Sequence, residues 1–429
     1  MKHTKSVLMA ALAALSIAGV ASASAETIYV SGSTAFRSAA NAAIVALSTN
    51  SLGSTNGLLA IDNASVGSAG NMLVKYYDSS TLTTNLIDVH WSGSEAGIQS
   101  TAGPTSGTNA KNTSFFPTNA TGWTNSISTN PVNNSQVSEV CFSDTYQSTS
   151  RFNGLHAGDG VNYTTLQGFD GSDGITGVVT FTWAASVGAG ITNVTSQEAR
   201  QILLNGGLPK VVFTGNTSDT NSFFWPIGRN IDSGTRLGTF AETGLGVLSA
   251  VKQFTVNTTN SIYLTIIESI DGISSGTAGN SGYSSGGTLC GFLTNSYASG
   301  SAFQYGTVST TNSATAIAGA TNSSKYSNNY LLGYAGVSDA NGKVGGGLIE
   351  LAYNGVNFSQ TAVENGQYSF WGYEHIYLNA SADTAVLDFG SALGTFISAE
   401  TDVQLSPNCS INNMQCGRNV DGGTIYSNY

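Results

Sequence analysis

Two patterns of apolar residues alternate along the chain, and each predicts a different kind of element. Thr27–Val30 is a short run of β-branched and aromatic residues, which predicts a strand. In Phe36–Leu47 the apolar residues recur at helical spacing, which predicts a helix. Between them, Ser31–Thr34 has the composition of a turn that caps a helix. We therefore expect Ser33 and Thr34 to lie where a strand ends and a helix begins.

The same order, a strand followed by a polar turn, recurs three more times. The strand-like segments are Leu86–Trp91, Val137–Phe142 and Ser222–Ile227. The turns that follow them are Ser92–Gly97, Ser143–Asp144 and Gly228–Thr235. Strands that alternate with helices in this way are typical of an α/β fold.

Further segments extend this pattern, and two long segments interrupt it. Thr195 and Glu198 form a capping box before a helix predicted over Ala199–Leu204. Gly177–Trp183 and Leu208–Thr214 are further predicted strands. The interrupting segments are rich in Ser, Thr, Asn and Gly, and we expect surface loops or polar edge strands there. They cover Ser100–Gln136 and Ser274–Asn329.

Residues 1–25 have the three parts of an export signal. Lys2 and Lys5 form a basic start, Ser6–Ala21 is apolar, and Ala23-Ser24-Ala25 is a small-residue cleavage site. The apolar run is short for a membrane span, and a cleavage site follows it, so the sequence favours export over anchoring. We expect a periplasmic or secreted protein that is not inserted in the membrane after the signal is removed.

Charge is scarce in this chain of 429 residues. There are 14 Lys and Arg residues against 25 Asp and Glu, a net charge of −11, and loss of Lys2 and Lys5 with the signal makes it −13. Such a chain lacks the basic surface that nucleic acids require. With 40% hydrophobic and 10% aromatic residues it contains enough apolar surface to build a core.

The cysteines and histidines predict disulfides but no metal site. The four cysteines are Cys141, Cys290, Cys409 and Cys416. An even number in an exported chain predicts disulfides, with three sets of pairings open, and Cys409 and Cys416 are the expected pair because they are close in sequence. No spacing resembles a zinc site. We expect neither a metal nor another cofactor.

The polar turns share a chemistry that suits an oxyanion. Ser33, Ser94 and Ser233 stand where helices begin, and helix N-termini offer unpaired N–H groups and a positive dipole end. Arg229 would add a forked donor. Asp144 repels anions, so we expect it to accept a proton that the ligand carries. Monohydrogen phosphate carries such a proton and sulfate at neutral pH does not.

These segments resemble the motifs of the periplasmic phosphate-binding proteins of ABC transport, in that family's order. The matching segments are Val30–Phe36, Gly93–Gly97, Ser143–Asp144 and Arg229–Thr235, with further likeness at Thr195–Gly206 and Leu331–Ala335. The resemblance spans Ile28 to Leu378, apart from the polar insertions. Two positions depart from the family pattern: Ile231 replaces a usual acidic residue, and Glu95 places a carboxylate beside the second motif.

The resemblance implies a fold, a binding site and partners. The fold would be the two-lobed type II periplasmic binding fold, an α/β fold with a mixed sheet flanked by helices in each lobe. The first lobe would be 26–183 and 372–429, and the second 184–371, with the hinge crossed near Trp183 and Trp371. The implied phosphate-binding residues are Ser33, Thr34, Ala35, Phe36, Ser94, Asp144, Arg229, Ser233, Gly234 and Thr235. A monomer that captures phosphate or a related oxyanion without catalysis, and passes it to an ABC permease, is expected.

Two other functions stay open on the sequence. A surface or matrix protein that reuses the fold without a ligand would fit the polar insertions and the low charge. The hydrolase pattern G-x-S-x-G occurs at Gly272–Gly276 and Gly282–Gly286, but at or beside a low-complexity stretch, without an apolar strand leading in and a helix leading out. Near the C-terminus, Arg418–Gly423 is a compact polar group for which we expect a structural turn.

Overall fold

The computed structural model describes residues 25–118, 134–249, 251–256, 282–296 and 328–427, together with Ser126–Ile127 and Ile262–Leu264. The predicted export signal lies outside the described residues, apart from Ala25. The G-x-S-x-G pattern at Gly272–Gly276 and most of the second polar insertion also lie outside them.

Ten α-helices are found in the described ranges. In chain order they are α1 Arg37–Ser51, α2 Ser94–Ala102, α3 Ser196–Asn205, α4 Val211–Thr214, α5 Gly234–Glu242, α6 Gly286–Leu293, α7 Val337–Val344, α8 Gln360–Glu364, α9 Thr384–Ser398 and α10 Asp402–Leu405. Short 3₁₀ helices cover Val66–Ser68, Thr217–Asn221 and Ile411–Asn413.

The strands, numbered in chain order, include long central members and many short pairs at the edges. They are β1 Thr27–Gly32, β2 Leu58–Ile61, β3 Asn71–Asp78, β4 Thr83–His90, β5 Thr113–Phe115, β6 Ser126–Ile127, β7 Asn134–Gln136, β8 Val140–Ser143, β9 Gly154–Leu155, β10 Asn162–Tyr163, β11 Gln167–Gly168, β12 Ile175–Ala185, β13 Asn193–Val194, β14 Leu208–Pro209, β15 Ser222–Pro226, β16 Phe254–Val256, β17 Ile262–Leu264, β18 Asn328–Gly336, β19 Ile349–Tyr353, β20 Trp371–Leu378, β21 Cys416–Gly417 and β22 Tyr426–Ser427.

A mixed sheet of 14 strands runs through the molecule, and helices pack against it. Its main path is β14-β15-β18-β12-β20-β8-β1-β4-β3-β2-β6. Strand β1 is parallel to both β4 and β8, so these three strands end at the same edge of the sheet. The α/β class predicted from the alternating patterns is confirmed.

Strand β12 joins the two halves of this sheet. Its residues Ile175–Thr180 pair with β20, whereas Phe181–Ala185 pair with β18. We call β20-β8-β1-β4-β3-β2-β6 the first half-sheet and β14-β15-β18 the second half-sheet. The change of partner between Thr180 and Phe181 lies close to Trp183, where the hinge is expected. Trp371, the other expected hinge position, pairs with Thr180.

One apolar core cluster extends over both half-sheets. It contains Phe36 from the turn before α1, Val178 and Trp183 from β12, Tyr334 from β18 and Ile376 from β20, all less than 2% exposed. Trp183 and Tyr334 meet edge to face at 5.4 Å. The long β12 strand therefore carries packing from one half-sheet into the other.

The strand predicted over Leu208–Thr214 is wrong for most of its length. Only Leu208–Pro209 is extended, and Val211–Thr214 forms the short helix α4. From this helix the ring of Phe213 packs against Phe224 of β15, with centroids 4.9 Å apart. Packing of the aromatic ring on the neighbouring strand outweighs the β propensity of the Val-Val-Phe run.

The predicted disulfide between Cys409 and Cys416 is not formed: all four cysteines are buried free thiols. The two thiols are directed to different carbonyl groups of the α8 segment. Cys409 Sγ donates to the Gln360 carbonyl (3.9 Å) and Cys416 Sγ to the Val363 carbonyl (3.5 Å). Closeness in sequence was a poor guide because the chain directs the two side chains to separate positions along one helix.

Within the described residues, no helix has both the length and the apolar character needed to span a bilayer. The same part of the chain contains no group of three or more His, Cys, Asp or Glu side chains placed to hold a metal ion.

Candidate functional site

Three of the predicted motifs lie together because the parallel strands β8, β1 and β4 end at one edge of the sheet. Ser31 of β1 pairs with His90 of β4, and Gly32 pairs with Phe142 of β8. The residues that follow these strands, Ser33, Ser94 and Asp144, are all at most 1% exposed. The carboxyl edge of a sheet is where ligands bind in α/β folds.

The fourth motif approaches this edge from the second half-sheet. The chain leaves β15, passes Arg229 and enters α5 at Gly234. The carbonyl of Asp232 accepts hydrogen bonds from the first N–H groups of α2, at Glu95 (3.1 Å) and Ala96 (3.4 Å). Gly93, which precedes α2, has φ 99° and a Cβ there would overlap the Asp232 carbonyl, so this close approach requires glycine. All four predicted motifs thus meet in one place.

Asp144 is the centre of the first group of contacts. Ser94 donates from its hydroxyl to Oδ1 of Asp144 (2.5 Å), and Thr235 donates from its hydroxyl to Oδ2 (3.0 Å). Gly234 has no Cβ, and one would overlap the Asp144 carboxylate. Burial raises the pKa of Asp144, while the two hydroxyls and the charge of Arg229 oppose this rise.

Arg229 is the centre of the second group, and its direct acceptors are all neutral. It is fully buried. Its Nη2 donates to the Thr34 hydroxyl (2.9 Å) and the Ser284 carbonyl (3.0 Å), and its Nε donates to the Tyr283 carbonyl (3.1 Å). Nη1 is buried without a hydrogen-bond partner among the described residues. Burial lowers the pKa of Arg229, and the negative charges of Asp339 and Asp144 oppose this.

The turn between β1 and α1 differs in detail from the prediction. The helix begins at Arg37, and its N-cap is Phe36 rather than Ser33 or Thr34. The Ser33 N–H donates to the Phe142 carbonyl (2.9 Å), and the Phe36 N–H points to the Ser33 hydroxyl (3.4 Å). The Ser33 and Phe36 amides are thus engaged within the protein, and the Thr34 hydroxyl is the group of this turn that contacts Arg229.

Ser233 has a structural role at the start of α5. It is the N-cap, and its hydroxyl accepts from the Arg236 N–H (3.3 Å). Ser233 and Thr235 are each only 1% exposed. Within this motif, Thr235 bonds the Asp144 carboxylate, and Gly234 lies against the same carboxylate.

Glu95, which departs from the family pattern, does not contact the Asp144 group. Its Oε2 accepts from the Ser150 hydroxyl (3.1 Å) and lies 3.6 Å from Nε of Arg151. Arg151 also donates from Nη2 to the Ile231 carbonyl (3.1 Å), which links the two half-sheets. A small cavity of about 20 Å³ lies here, lined in part by Glu95, Arg151 and Arg236. Arg151 therefore balances the extra carboxylate, a role that no pattern in the sequence indicates.

A second carboxyl group that the sequence motifs did not reveal lies beside the site. Glu374 of β20 is 0% exposed, and neither of its carboxyl oxygens has a hydrogen-bond partner among the described residues. Burial raises its pKa well above the usual range, and the charge of Asp144 adds to the rise, while the Ser33 hydroxyl opposes it. The one available signal was a glutamate within the otherwise uncharged run of β20.

The C-terminal polar group lies at the other end of α5. Arg418 donates from Nη1 to Glu242 (3.0 Å), the last residue of α5, and from Nη2 to the Ser369 carbonyl (2.7 Å). Its guanidinium carbon lies 4.0 Å from the centroid of the Trp371 ring. Asp421 accepts from the Tyr146 N–H (2.9 Å). This segment ties α5, β20 and the loop after β8 together, as a structural turn would.

The G-x-S-x-G segment at Gly282–Gly286 serves neighbouring groups in the structure. The Ser284 carbonyl accepts from Arg229, and Ser285 caps α6 by accepting from the Thr288 N–H (3.2 Å). The expectation that no helix leads out of this pattern is wrong, because α6 begins at Gly286 with Ser285 as its cap.

The chain matches no protein-family model and no curated protein. Several solved structures align with it over most of its length. One, from Clostridium perfringens, is described as a phosphate ABC transporter substrate-binding protein with bound phosphate (13% identity, TM-score 0.43, covering 88% of this chain and 96% of that one). Others are an ABC-type phosphate transport receptor from Vibrio cholerae (12%, 0.40, 88% and 96%) and PstS from Borrelia burgdorferi (10%, 0.36, 90% and 98%).

Proposed function

We propose that this protein is an exported solute-binding protein that captures phosphate, or a similar oxyanion, in a cleft between two lobes. The lobes would be 26–183 with 372–429, and 184–371. The protein would act without catalysis, as a monomer in the periplasm or outside the cell, and would deliver the ion to an ABC permease.

One observation carries this proposal: a buried arginine with only neutral direct acceptors lies in the same cluster as a buried carboxylate that is held by two hydroxyls. Arg229 would bind the oxygens that carry negative charge. Asp144 would accept from a ligand oxygen that carries a proton, which selects phosphate over sulfate. Thr34, Ser94 and Thr235 offer hydroxyls that bind oxygens without adding charge.

Binding of an ion in this cluster requires the two half-sheets to separate locally. Thr235 bonds Asp144 and Arg229 bonds Thr34 directly, and the backbone of Gly234 packs on the Asp144 carboxylate. An oxyanion would replace these direct bonds with bonds to its own oxygens. Hinge motion about a few residues is the usual way for such a site to open.

The same direct bonds favour a second candidate, a surface or matrix protein in which the cluster only fastens the two half-sheets together. In that case the hydroxyl and carboxylate groups satisfy one another permanently, and no ion enters.

Isothermal titration calorimetry with phosphate and with sulfate separates the two candidates. The protein is first freed of co-purified ions by partial unfolding, dialysis and refolding. The proposal expects saturable heat with phosphate and much weaker binding of sulfate. Absence of heat with either ion, in a sample whose melting curve shows that it has refolded, would refute the binding function and leave the fastening role.

A further inference from the structure

A fully buried glutamate in strand β20 lies beside the residues proposed to bind the oxyanion. Glu374 pairs in register with Gly177 of β12, while the next residue, His375, pairs with Ser143 of β8. Asp144 follows Ser143 directly. The ring of Phe36, from the turn before α1, lies over Gly177. Glu374 is therefore enclosed by the end of β8 on one side and by the β1–α1 turn above it.

The charged and titratable neighbours of Glu374 are acidic or neutral. Asp144 and the Cys141 thiol approach it from β8, and the Ser33 hydroxyl approaches it from the β1–α1 turn. Gly177, its partner on β12, has no side chain. Helix α9 packs on β20 as well, but its Asp388 accepts from Ser80 instead. No cation among the described residues forms an ion pair with Glu374.

An ionised carboxylate in these surroundings would be costly for two reasons. It would be buried at 0% exposure with neither oxygen in hydrogen-bonding geometry with a described donor, although the Ser33 hydroxyl lies nearby, and it would share the site with the negative charge of Asp144. A neutral carboxylic acid avoids both costs, and it turns the group from an acceptor into a donor. The neutral acid then has a proton to donate, and no described residue accepts it in a hydrogen bond.

We propose that Glu374 remains a neutral carboxylic acid beside Asp144 and donates its hydrogen bond to the bound oxyanion, so that capture requires a protonated Glu374. This inference rests on the proposed function. The two carboxyl groups then have complementary roles. Asp144 accepts a hydrogen bond from a protonated ligand oxygen, and Glu374 donates one to an unprotonated ligand oxygen. An oxyanion with both kinds of oxygen satisfies the pair, whereas sulfate leaves Asp144 without a donor.

The test combines a measurement that needs no ligand with one that does. Infrared difference spectra at neutral pH compare the wild-type protein with Glu374→Gln, whose amide keeps a donor but cannot titrate. We expect a protonated-carboxyl C=O band in the wild type that the variant lacks. A wild-type spectrum without that band overturns the inference even if phosphate binds. Glu374→Leu, which also lacks the carboxyl group, serves the same spectral comparison should Glu374→Gln not fold.

Phosphate titrations over a range of pH supply the second measurement. Above the pH at which the band disappears, the wild-type Kd should weaken by up to about tenfold per pH unit relative to that of Glu374→Gln. The second ionisation of phosphate affects both proteins equally, so the difference isolates Glu374. Glu374→Leu, which removes the donor, should bind phosphate more weakly than Glu374→Gln at every pH. Identical pH profiles of wild type and Glu374→Gln would overturn the donor role.

The two failures are distinguishable. If neither protein binds phosphate, the proposed function fails and the donor role fails with it. If phosphate binds tightly but the band is absent or the pH profiles coincide, the proposed function stands and only the role of Glu374 is refuted.

Discussion

The two ends of helix α5 each carry a buried arginine, and the two arginines are neutralised in different ways. At the C-terminal end, Arg418 forms an ion pair with Glu242 and stacks on Trp371. A cation there is also favoured by the helix dipole. At the N-terminal end, Arg229 bonds a hydroxyl and two carbonyls, and the carboxylate of Asp144 is held by Ser94 and Thr235 instead.

This difference distinguishes a structural arginine from one that can receive an ion. The charge of Arg418 is balanced by a partner within the chain, so its removal affects the fold. The charge of Arg229 adds to the positive end of α5 and has no direct ionic partner among the described residues. An anion at this end would be favoured by both. The net charge of −11 does not oppose this, because the local groups determine the field at close range.

The largest expected effect is on the stability of the fold, at the C-terminal end of α5. Glu242→Ala should lower the free energy of unfolding by about 3–5 kcal/mol, because it leaves Arg418 buried without its carboxylate. Urea unfolding followed by circular dichroism measures this. The double variant Glu242→Leu with Arg418→Met should recover much of the loss, since it removes both charges.

Asp219→Asn is the matched control, because it breaks the ion pair with Lys210, whose side chains are more exposed (13% and 17%) than those of Arg418 and Glu242 (1% and 10%). It should change the unfolding midpoint far less. If Glu242→Ala is no more destabilising than Asp219→Asn, Arg418 is not the structural arginine that the comparison requires.

The second largest expected effect is on phosphate binding at the N-terminal end of α5, where Arg229 lies. Arg229→Met should weaken phosphate binding by about 2–5 kcal/mol, mainly through faster dissociation, because the ligand loses the guanidinium donor of Arg229. Arg200→Met, which removes an exposed arginine of α3, is the control for the loss of one positive charge. Equal Kd values for the two variants in calorimetry would place the oxyanion elsewhere.

Sequence patterns predicted the parts of the site that depend on local chemistry. The strand ends, the capping box at Thr195 and the convergence of the polar motifs follow from residue order and from parallel strands. The pattern could not reveal Arg151 or Glu374, because each acts through neighbours that are distant in sequence. Glu95 and Arg151, for example, come from different elements and meet only in the folded chain.

The two wrong predictions, a strand over Leu208–Thr214 and a disulfide between Cys409 and Cys416, also arise from contacts between residues distant in sequence. The β propensity of the Val211–Phe213 run is real, but the contact of Phe213 with Phe224 determines its conformation. Cys409 and Cys416 are close in sequence, but the fold points them at different carbonyls. Each error arises where a tertiary contact decides between local alternatives.

A smaller effect tests whether Asp144 sets the selectivity at the Arg229 end. Asp144→Asn should weaken phosphate binding by about 1.5–3 kcal/mol, because the carboxylate no longer accepts the proton of the ligand. It should also narrow the difference in affinity between phosphate and sulfate, because a neutral amide no longer repels the unprotonated ion. Competition titrations with both ions measure the ratio. Asp421→Asn is the control, since Asp421 is also a buried carboxylate but lies in the C-terminal polar group. An unchanged ratio in Asp144→Asn would rule out its role as proton acceptor.

The smallest expected effect is on phosphate affinity, and it tests whether the hydroxyl of Thr34, rather than the shape of its side chain, is needed. Its hydroxyl accepts from Nη2 of Arg229 at 2.9 Å. Thr34→Val keeps the volume of the side chain but removes the hydroxyl, so the bound oxyanion loses one of the hydroxyl groups whose bonds to it replace the direct bonds of the cluster. We expect phosphate affinity to fall by about 1 kcal/mol, roughly fivefold. Thr34→Ser keeps the hydroxyl and should bind as the wild type does. If both variants bind alike, Thr34 neither positions Arg229 nor contacts the ion, and the arginine at this end of α5 is held by the carbonyls of Tyr283 and Ser284 alone.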